Sequence, residues 1–332
     1  MPIDTAKFSA HLRARMLDRE NHQILMTRLD GSDQEKDLSV PANCGGLGRI
    51  RHFRRATSSG WPENSLPIDP AAQALRLGTR LEQIEAIVFQ NSGCNWRCWY
   101  CYVPFDRLSA SEENSAWISM SDLIRRYAAL PDRPKVVDLS GGQPELTPEM
   151  TLWTIRALRE QGLDEDCFLW SDDNLSEDYF WTKLSDADRE EISEYKSYGR
   201  VGCFKGFDAP SFSFNTLAAE DWFDRQFDVM RRSISSGLNM YGYATFTTPD
   251  RSDIKYRMGR FVDRLQLIHN NLPLRMVPLE VQVFTPTTGR IRAEHLVALK
   301  IQREAVDEWN HQLSIRFTDA ERAQSIDQVT LQ

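Results

Sequence analysis

Short runs of apolar, β-branched and aromatic residues recur along the middle of the chain. There are six of them: AIVFQ (86–90), KVVDLS (135–140), CFLWS (167–171), VGCFKGF (201–207), MYGYATF (240–246) and LRMVPLEVQVF (274–284). Each has the length and composition of a β-strand. The segments between them mostly place apolar residues three and four positions apart, which predicts amphipathic helices. Examples are SMSDLIRRYAAL, TPEMTLWTIRALREQG, AEDWFDRQFDVMRRSISSG and KYRMGRFVDRLQLIHN.

Local signals predict where two of these helices begin and end. Thr147 is a candidate N-cap with Pro148 at the first helical position, because proline lacks only a donor that is unpaired there. Gly162 and Gly237 stand where a helix would end in the left-handed conformation that glycine tolerates. These signals support regular alternation of strand and helix.

Strands that alternate with helices of this length predict right-handed βαβ units and a parallel sheet. Six units are too few for a closed eight-fold barrel, so we predict an α/β fold with a partial (β/α)6 TIM-like barrel; a doubly wound sheet also fits the count. The predicted core covers residues 81–290. Residues 1–80 begin with a helix at about 5–20 and are then irregular, which predicts an N-terminal extension that wraps the core. Residues 291–332 are expected to form a C-terminal helical segment.

Composition limits the class of protein. The chain has 332 residues, 41% hydrophobic and 27% charged, typical of a globular protein. No apolar run approaches the roughly 18 residues of a membrane helix, and the N-terminus lacks the apolar stretch of a secretory signal. We therefore expect a cytoplasmic protein without a membrane partner. The net charge of −8 argues against a nucleic-acid partner.

A basic run interrupts this acidic background. GRIRHFRR, residues 48–55, carries four arginines and a histidine. A short basic run of this kind is most often a solvated, ion-paired segment. The alternative is a site for phosphates or for an acidic partner.

Three of the six cysteines lie within eight residues, at Cys94, Cys98 and Cys101 in NSGCNWRCWYC. On a helix they would share one face and act as small apolar residues. A structural zinc site needs four ligands, usually in two pairs, and there is no second C-x2-C and no nearby histidine. A redox pair at Cys98 and Cys101 leaves Cys94 unexplained. Three thiolates suit an iron–sulfur cluster with one iron left open for chemistry. The loop after the first core strand is where such folds place functional residues.

The C-x3-C-x2-C spacing in this loop resembles the radical S-adenosylmethionine (radical SAM) superfamily. The resemblance implies that Cys94, Cys98 and Cys101 hold a 4Fe–4S cluster and are the catalytic residues. Tyr100, just before the last cysteine, matches the aromatic residue that lies against the adenine of SAM. LSGGQPEL, at 139–146, resembles the family's Gly-Gly-Glu-Pro segment, whose backbone receives the SAM amino group. Gly141, Gly142, Gln143 and Pro144 are its counterparts, with glutamine where the family has glutamate.

Weaker matches follow the next two strands. In LWSDDN, Ser171 and Asp173 correspond to polar residues that bind the ribose or carboxylate of SAM in relatives, with Asn174 as a further candidate. An N-cap cluster for the next segment explains these residues equally well. After the fourth strand, Lys205 would pair with the SAM carboxylate, although a lysine at a strand end is otherwise a solvated charge. The resemblance covers about residues 84–285.

The resemblance implies reductive cleavage of SAM and hydrogen abstraction from a substrate. We predict a small-molecule or nucleotide substrate, with the basic run favouring an anionic one, and an external electron donor such as ferredoxin or flavodoxin. The alternatives are an enzyme that activates a protein by forming a glycyl radical, an RNA-modifying enzyme, and a non-catalytic iron–sulfur sensor or electron carrier. Residues 204–332 contain no cysteine, so no auxiliary cluster is expected there.

Overall fold

The structure is a computed structural model that describes residues 2–78 and 80–331. Residues 1 and 332, the outer ends of the predicted segments, lie outside this range. The strands are β1 (Leu17–Asp18), β2 (Gln23–Thr27), β3 (Gly48–Arg54), β4 (Gln83–Gln90), β5 (Ser115–Ser119), β6 (Val136–Ser140), β7 (Phe168–Asp173), β8 (Tyr198–Phe204), β9 (Met240–Ala244) and β10 (Met276–Pro278).

Eleven α-helices complete the described part of the chain. They are α1 (Thr5–Met16), α2 (Ile68–Ala74), α3 (Met120–Ala128), α4 (Glu149–Glu160), α5 (Tyr179–Lys183), α6 (Asp186–Ser193), α7 (Ala209–Thr216), α8 (Trp222–Ser235), α9 (Ile254–Gln266), α10 (Ala293–Arg316) and α11 (Asp319–Arg322). Within the described residues no helix has both the length and the apolar content needed to cross a membrane.

The main sheet has seven strands in the order β10-β9-β8-β7-β6-β4-β3. All neighbours pair in parallel except β3, which runs antiparallel to β4 at the edge. The six parallel strands follow one another in chain order, whereas a doubly wound sheet reverses its order in the middle. The predicted partial (β/α)6 barrel is therefore confirmed, and the doubly wound alternative is wrong.

Apolar side chains fill both faces of this sheet. On the outer face, strand residues such as Leu139 and Phe204 pack against helix residues such as Leu158 and Phe261. On the inner face, a second cluster joins Phe53, Ala86, Trp170 and Tyr243 of the strands to α2 and the segment before it. We call this second cluster the inner core. Alternation of side chains along each strand assigns neighbouring residues to opposite faces.

The N-terminal region is more regular than the sequence predicts. Helix α1 ends at Met16, and β1 and β2 join β5 in a small antiparallel sheet. The basic run, expected as a solvated, ion-paired segment, is ion-paired at Arg51 and Arg55 but forms β3, the antiparallel edge of the main sheet. The last predicted strand is also shorter than expected, because only Met276–Pro278 pairs with β9.

The predicted helix ends are partly correct. Gly162 and Gly237 follow the ends of α4 and α8 with φ of +64° and +78°. Helix α4 begins at Glu149 with Pro148 as N-cap, so Thr147 is not the cap; its hydroxyl faces the carbonyl of Pro144 at 3.5 Å instead.

Candidate functional site

The three clustered cysteines lie in an extended loop after the carboxyl end of β4. Cys98 is buried, and Cys94 and Cys101 are half-buried. None of the three is in a helix, so the interpretation as an apolar helix face is wrong. Cys98 and Cys101 are joined by a turn in which the Cys101 N–H donates to the Cys98 carbonyl at 2.9 Å. All six cysteines of the chain are free thiols.

Backbone contacts hold this loop against neighbouring elements. The N–H of Cys94 donates to the Leu108 carbonyl at 3.2 Å. The N–H groups of Arg97 and Trp99 donate to the carbonyls of Thr216 and Asn215 at the end of α7, at 3.0 and 3.2 Å. The position of the thiols is thus fixed by the barrel and not by the loop alone.

The thiols lie in a protected environment. Burial raises the pKa of the Cys98 thiol to about 12, against the lowering effect of the Lys205 ammonium. Burial also raises the pKa of the Cys94 thiol. Binding of a metal would therefore release protons from these groups. No three His, Cys, Asp or Glu side chains in residues 2–78 and 80–331 are arranged around a single metal ion. A cubane cluster takes one thiolate at each iron corner, so its ligands stand farther apart than those of a single ion.

The Gly-Gly-Gln-Pro segment follows β6 and contacts the cysteine loop directly. The N–H of Gln143 donates to the Gly93 carbonyl at 2.8 Å, and the Asn91 side-chain amide donates to the Gln143 carbonyl at 2.8 Å. A β-carbon on Gly142 would lie 1.9 Å from Asn91 Oδ1 and 2.3 Å from the Gly93 oxygen. Gly141 has a φ of +86°, which only glycine adopts without strain. The two sequence motifs therefore form one unit.

The side chain of Gln143 explains its departure from the family pattern. It is buried, donates through Nε2 to Asp173 Oδ1 at 2.8 Å, and accepts through Oε1 from the Asn174 N–H at 2.8 Å. A carboxylate in this position would face the carboxylate of Asp173. An amide bridges the acceptor and the donor without repulsion.

The structure brings Tyr100 and Lys205 to the same end of the barrel as the cysteines. The Tyr100 hydroxyl donates to Thr245 Oγ1 at 3.2 Å, just past β9. Lys205 follows β8. Burial alone would lower the pKa of its ammonium, but the adjacent Cys203, Tyr100 and Cys98 groups raise it above the ordinary value. A lysine held positive in an enclosed site suits a negatively charged ligand.

Ser171 and Asp173 lie on the outer face of β7, away from the barrel interior. Ser171 is hydrogen-bonded to the Tyr198 hydroxyl at 2.7 Å, and Asp173 accepts from Gln143 and from the N–H of Leu175. Both side chains are thus occupied by protein groups. Asn174 also contacts the cysteine loop, since its amide donates to Asn95 Oδ1 at 2.8 Å and lies 3.9 Å from the sulfur of Cys94.

Sequence reasoning missed the polar residues of the barrel interior. Asp172, between the two predicted residues, belongs to the inner face and accepts a hydrogen bond from Ser140 of β6. Asp138 is two residues before Ser140 on β6 and therefore also faces inward. Arg51 of β3 lies 3.6 Å from its carboxylate. The alternation of arginine with apolar residues in GRIRHF is the sequence signal for an edge strand with an inward arginine face.

A cavity of about 800 Å³ lies at the opposite end of the barrel, and its lining includes Arg55, Asp69, Pro273 and Ser325. Arg55 and Pro273 stand at the amino ends of the parallel strands, Asp69 is on α2, and Ser325 is in the C-terminal segment. Functional loops of (β/α) barrels are at the carboxyl ends of the strands, so this cavity is separate from the cysteine site.

The residues at the carboxyl end fit a 4Fe–4S cluster and SAM. The donor set is three thiols and no carboxylate, which suits iron–sulfur chemistry. The two glycines leave backbone where a β-carbon would obstruct a ligand, and Lys205 supplies a positive charge.

Comparisons with known proteins agree with this site. Residues 90–248 match the family model of the radical SAM superfamily. No curated protein matches the chain.

Solved structures give more distant matches. SuiB of Streptococcus suis bound to the precursor peptide SuiA has 14% identity and a TM-score of 0.39, over 55% of this chain and 36% of that one. SuiB bound to S-adenosylmethionine has 14% identity and the same TM-score, over 55% and 37%. The protein anSMEcpe with bound AdoMet has 13% identity and a TM-score of 0.37, over 56% and 47%. The matched region thus spans one third to one half of those proteins.

Proposed function

The chain belongs to the radical SAM superfamily, whose members use a 4Fe–4S cluster and SAM, and from this premise we propose its activity. It reductively cleaves SAM and abstracts hydrogen from a small-molecule or nucleotide substrate with an anionic group. The observation that carries the proposal is the contact between the two motifs: Gln143 donates to Gly93, the residue before Cys94.

Cys94, Cys98 and Cys101 are the proposed ligands of the cluster. A 4Fe–4S cluster held by these thiols would supply the electron for reductive cleavage of SAM. The protein's part is to hold the thiols together, to orient SAM and to exclude water. The hydrogen bonds from the loop to Leu108, Thr216 and Asn215 serve the first task.

The backbone of Gly141 and Gly142, with Gln143 and Pro144, is the proposed site for the amino end of SAM. Lys205 is the proposed partner of the SAM carboxylate, and Tyr100 the proposed contact of the adenine. Ser171 and Asp173 remain candidates from the resemblance. Because both face outward, we infer that they position Gln143 and β8, and that Asp172 is the inward polar group of this strand.

An external electron donor is required because the cluster of a radical SAM enzyme must be reduced before SAM is cleaved. A ferredoxin or flavodoxin in the cytoplasm fits this role. Activation of a protein by a glycyl radical, or modification of RNA, would use the same first step on a different substrate. A sensor or electron carrier would not require SAM at all.

Binding of SAM to the reconstituted protein separates an enzyme from an electron carrier. Isothermal titration calorimetry should give saturable binding, and Tyr100→Ala should weaken it about tenfold while leaving the iron content unchanged. Tyr256→Ala is the matched control, because Tyr256 is an exposed tyrosine on α9. Absence of SAM binding by the wild-type protein with its cluster intact would exclude the proposed activity.

A further inference from the structure

Two arginines of the edge strand β3 face the barrel interior. Arg49 is paired with Val88, and Arg51 with Ala86 of the inner core. Side chains alternate along a strand, so Arg49, Arg51 and Phe53 share one face. Arg51 accordingly lies over the ring of Phe53, with 4.1 Å from its guanidinium carbon to the ring centroid. His52 points to the other face, where it meets Glu85 at 3.1 Å.

Arg49 has no polar partner within the described residues. It is only 8% exposed, and its Nε is enclosed without a hydrogen bond. No hydrogen bond or ion pair joins its guanidinium to any group in residues 2–78 and 80–331; the group lies over the ring of Tyr102 at 5.1 Å. Two other buried arginines are neutralised by carboxylates, since Arg55 pairs with Asp69 and Arg200 with Glu145 at 3.0 Å. The buried Arg275 has an amide partner instead, Asn239 Oδ1 at 2.7 Å, whereas Arg49 has neither. An unpaired buried cation is costly, so its retention suggests a missing anion.

The carboxylate of Asp138 pairs with Arg51 and forms no ion pair with Arg49. Asp138 lies 3.6 Å from Arg51, and both of its oxygens are buried without a hydrogen bond. Burial and then the charge of Asp172 raise the pKa of Asp138 to about 8. Asp138 is therefore largely protonated at neutral pH and does not neutralise the two arginines.

The arginine pair lies close to the proposed SAM site. Val88, opposite Arg49, is two residues before the end of β4, which leads into the cysteine loop. At about 3.3 Å of rise per residue this is about 7 Å along the strand. Burial and the charge of Arg51 lower the pKa of Arg49 to about 10, against the opposing charges of Tyr102, Asp138 and Asp172. The pair thus lies deeper in the same interior.

We propose that Arg49 and Arg51 form a subsite that binds an anionic oxygen group of the substrate, a carboxylate or a phosphate, inside the barrel. The guanidinium fork of Arg49 supplies two parallel N–H donors, which match either group. The assignment rests on the proposed function, because it names the recognised part of that enzyme's substrate. The residues come from β3, outside the 90–248 family domain.

Titration with simple anions tests the subsite without knowledge of the substrate. The wild-type protein, as purified and after anaerobic reconstitution, is titrated with inorganic phosphate or malonate at constant ionic strength set with chloride. The midpoint temperature of unfolding is measured at each concentration. We expect saturable stabilisation by phosphate or malonate. Stabilisation by only one of them identifies the source of the anionic group, and stabilisation by neither overturns the proposal.

Variants distinguish a binding arginine from a structural one. Arg49→Gln should weaken anion binding about tenfold or more, while its midpoint temperature without anion stays equal to or above that of wild type. Arg49→Lys should restore part of the binding. Arg54→Gln, at an exposed position of the same strand, is the matched control and should bind like wild type.

A lower midpoint for Arg49→Gln without anion, or unchanged binding in this variant, would contradict the proposal. Iron content and 5′-deoxyadenosine formation, measured on the same wild-type preparation, test the proposed function separately. If the wild-type protein binds the anion but forms no 5′-deoxyadenosine, the proposed function is wrong and the anion site belongs to a protein with a different function.

Discussion

At the scale of single residues, the contact between the Gly-Gly-Gln-Pro segment and the cysteine loop is possible because Gly142 has no β-carbon. Gly142 has backbone and side-chain oxygens of the loop within 2.8 Å of where a β-carbon would be. The two motifs can be recognised in the sequence, because glycine and cysteine each have a distinct chemical role. The contact between the motifs cannot be predicted from the sequence, because it depends on where β4 and β6 end.

Gly142→Ala should disrupt both motifs at once. The added carbon has to displace backbone, so we expect destabilisation of more than about 2 kcal/mol together with weaker SAM binding. Chemical denaturation and calorimetry measure the two effects. Gly289→Ala is the control, because no atom lies within 4 Å of its β-carbon position. Wild-type SAM binding by Gly142→Ala would contradict this account.

Gln143→Glu, which restores the family's residue, should destabilise this protein. It would place a second carboxylate at the 2.8 Å contact with Asp173 and remove the amide donor. We expect a loss of about 2 to 4 kcal/mol in the free energy of unfolding, measured by chemical denaturation. Adding Asp173→Asn should recover much of the loss. Equal stability of Gln143→Glu and wild type would show that the amide bridge has no energetic role.

At the scale of elements, α1 acts as a cover for the cysteine loop. Its Ser9 donates to Glu177, which also accepts from Asn95 of the loop at 3.2 Å. The indole of Trp96 donates to Thr5 at 3.3 Å, and Arg97 lies over the ring of Phe8 at 4.9 Å. The periodicity of residues 5–16 predicts the helix. It does not predict this partner, because nothing local connects α1 to a loop eighty residues away.

The Glu177 carboxyl should make this contact dependent on pH. Burial raises its pKa from 4.5 to about 7, despite the hydrogen bond from Ser9. Between these values the folded state keeps a proton that the unfolded state loses, so stability falls as pH rises from about 4.5 to 7.

The Glu177→Gln variant has no carboxyl group to titrate at this position. Relative to this variant, wild type should lose up to about 3 kcal/mol of stability across that window. The measurement is chemical denaturation at a series of pH values, with Glu194→Gln at an exposed position as the control. Parallel pH profiles for wild type and Glu177→Gln would contradict the assignment.

The inward orientation of two arginines on β3 was not predicted from the hydrophobic pattern of the sequence. Four arginines in eight residues suggest a solvated segment, yet Arg49 and Arg51 face inward while Arg54 is exposed. A two-residue period was present in the sequence. Charge at alternate positions conceals it, because the inner face of a barrel strand is normally apolar.

At the scale of the whole molecule, the order of strands was predictable and the closure of the barrel was not. Six βαβ units in chain order follow from the alternation of apolar runs and helices. The barrel interior is completed by residues outside those units: Phe53 of β3 and Leu66, Ile68 and Ala71 around α2. Contacts between segments so far apart in the chain leave no local signal.

Removal of residues 2–80 should therefore prevent cooperative folding of the remaining chain. The truncation exposes the inner core and removes the partner of β4. Thermal unfolding followed by circular dichroism should show a broad transition in place of a cooperative one. A sharp transition near that of the full chain would mean that the core folds without the N-terminal extension.

The central claim is that the three cysteines support reductive cleavage of SAM. The direct test counts iron and sulfide in anaerobically reconstituted protein, then adds SAM and dithionite and measures 5′-deoxyadenosine by chromatography. We predict about four irons per chain and 5′-deoxyadenosine formation in wild type and in Cys44→Ala, and neither in Cys98→Ala. A Cys98→Ala protein that retains the iron and forms 5′-deoxyadenosine would contradict the account.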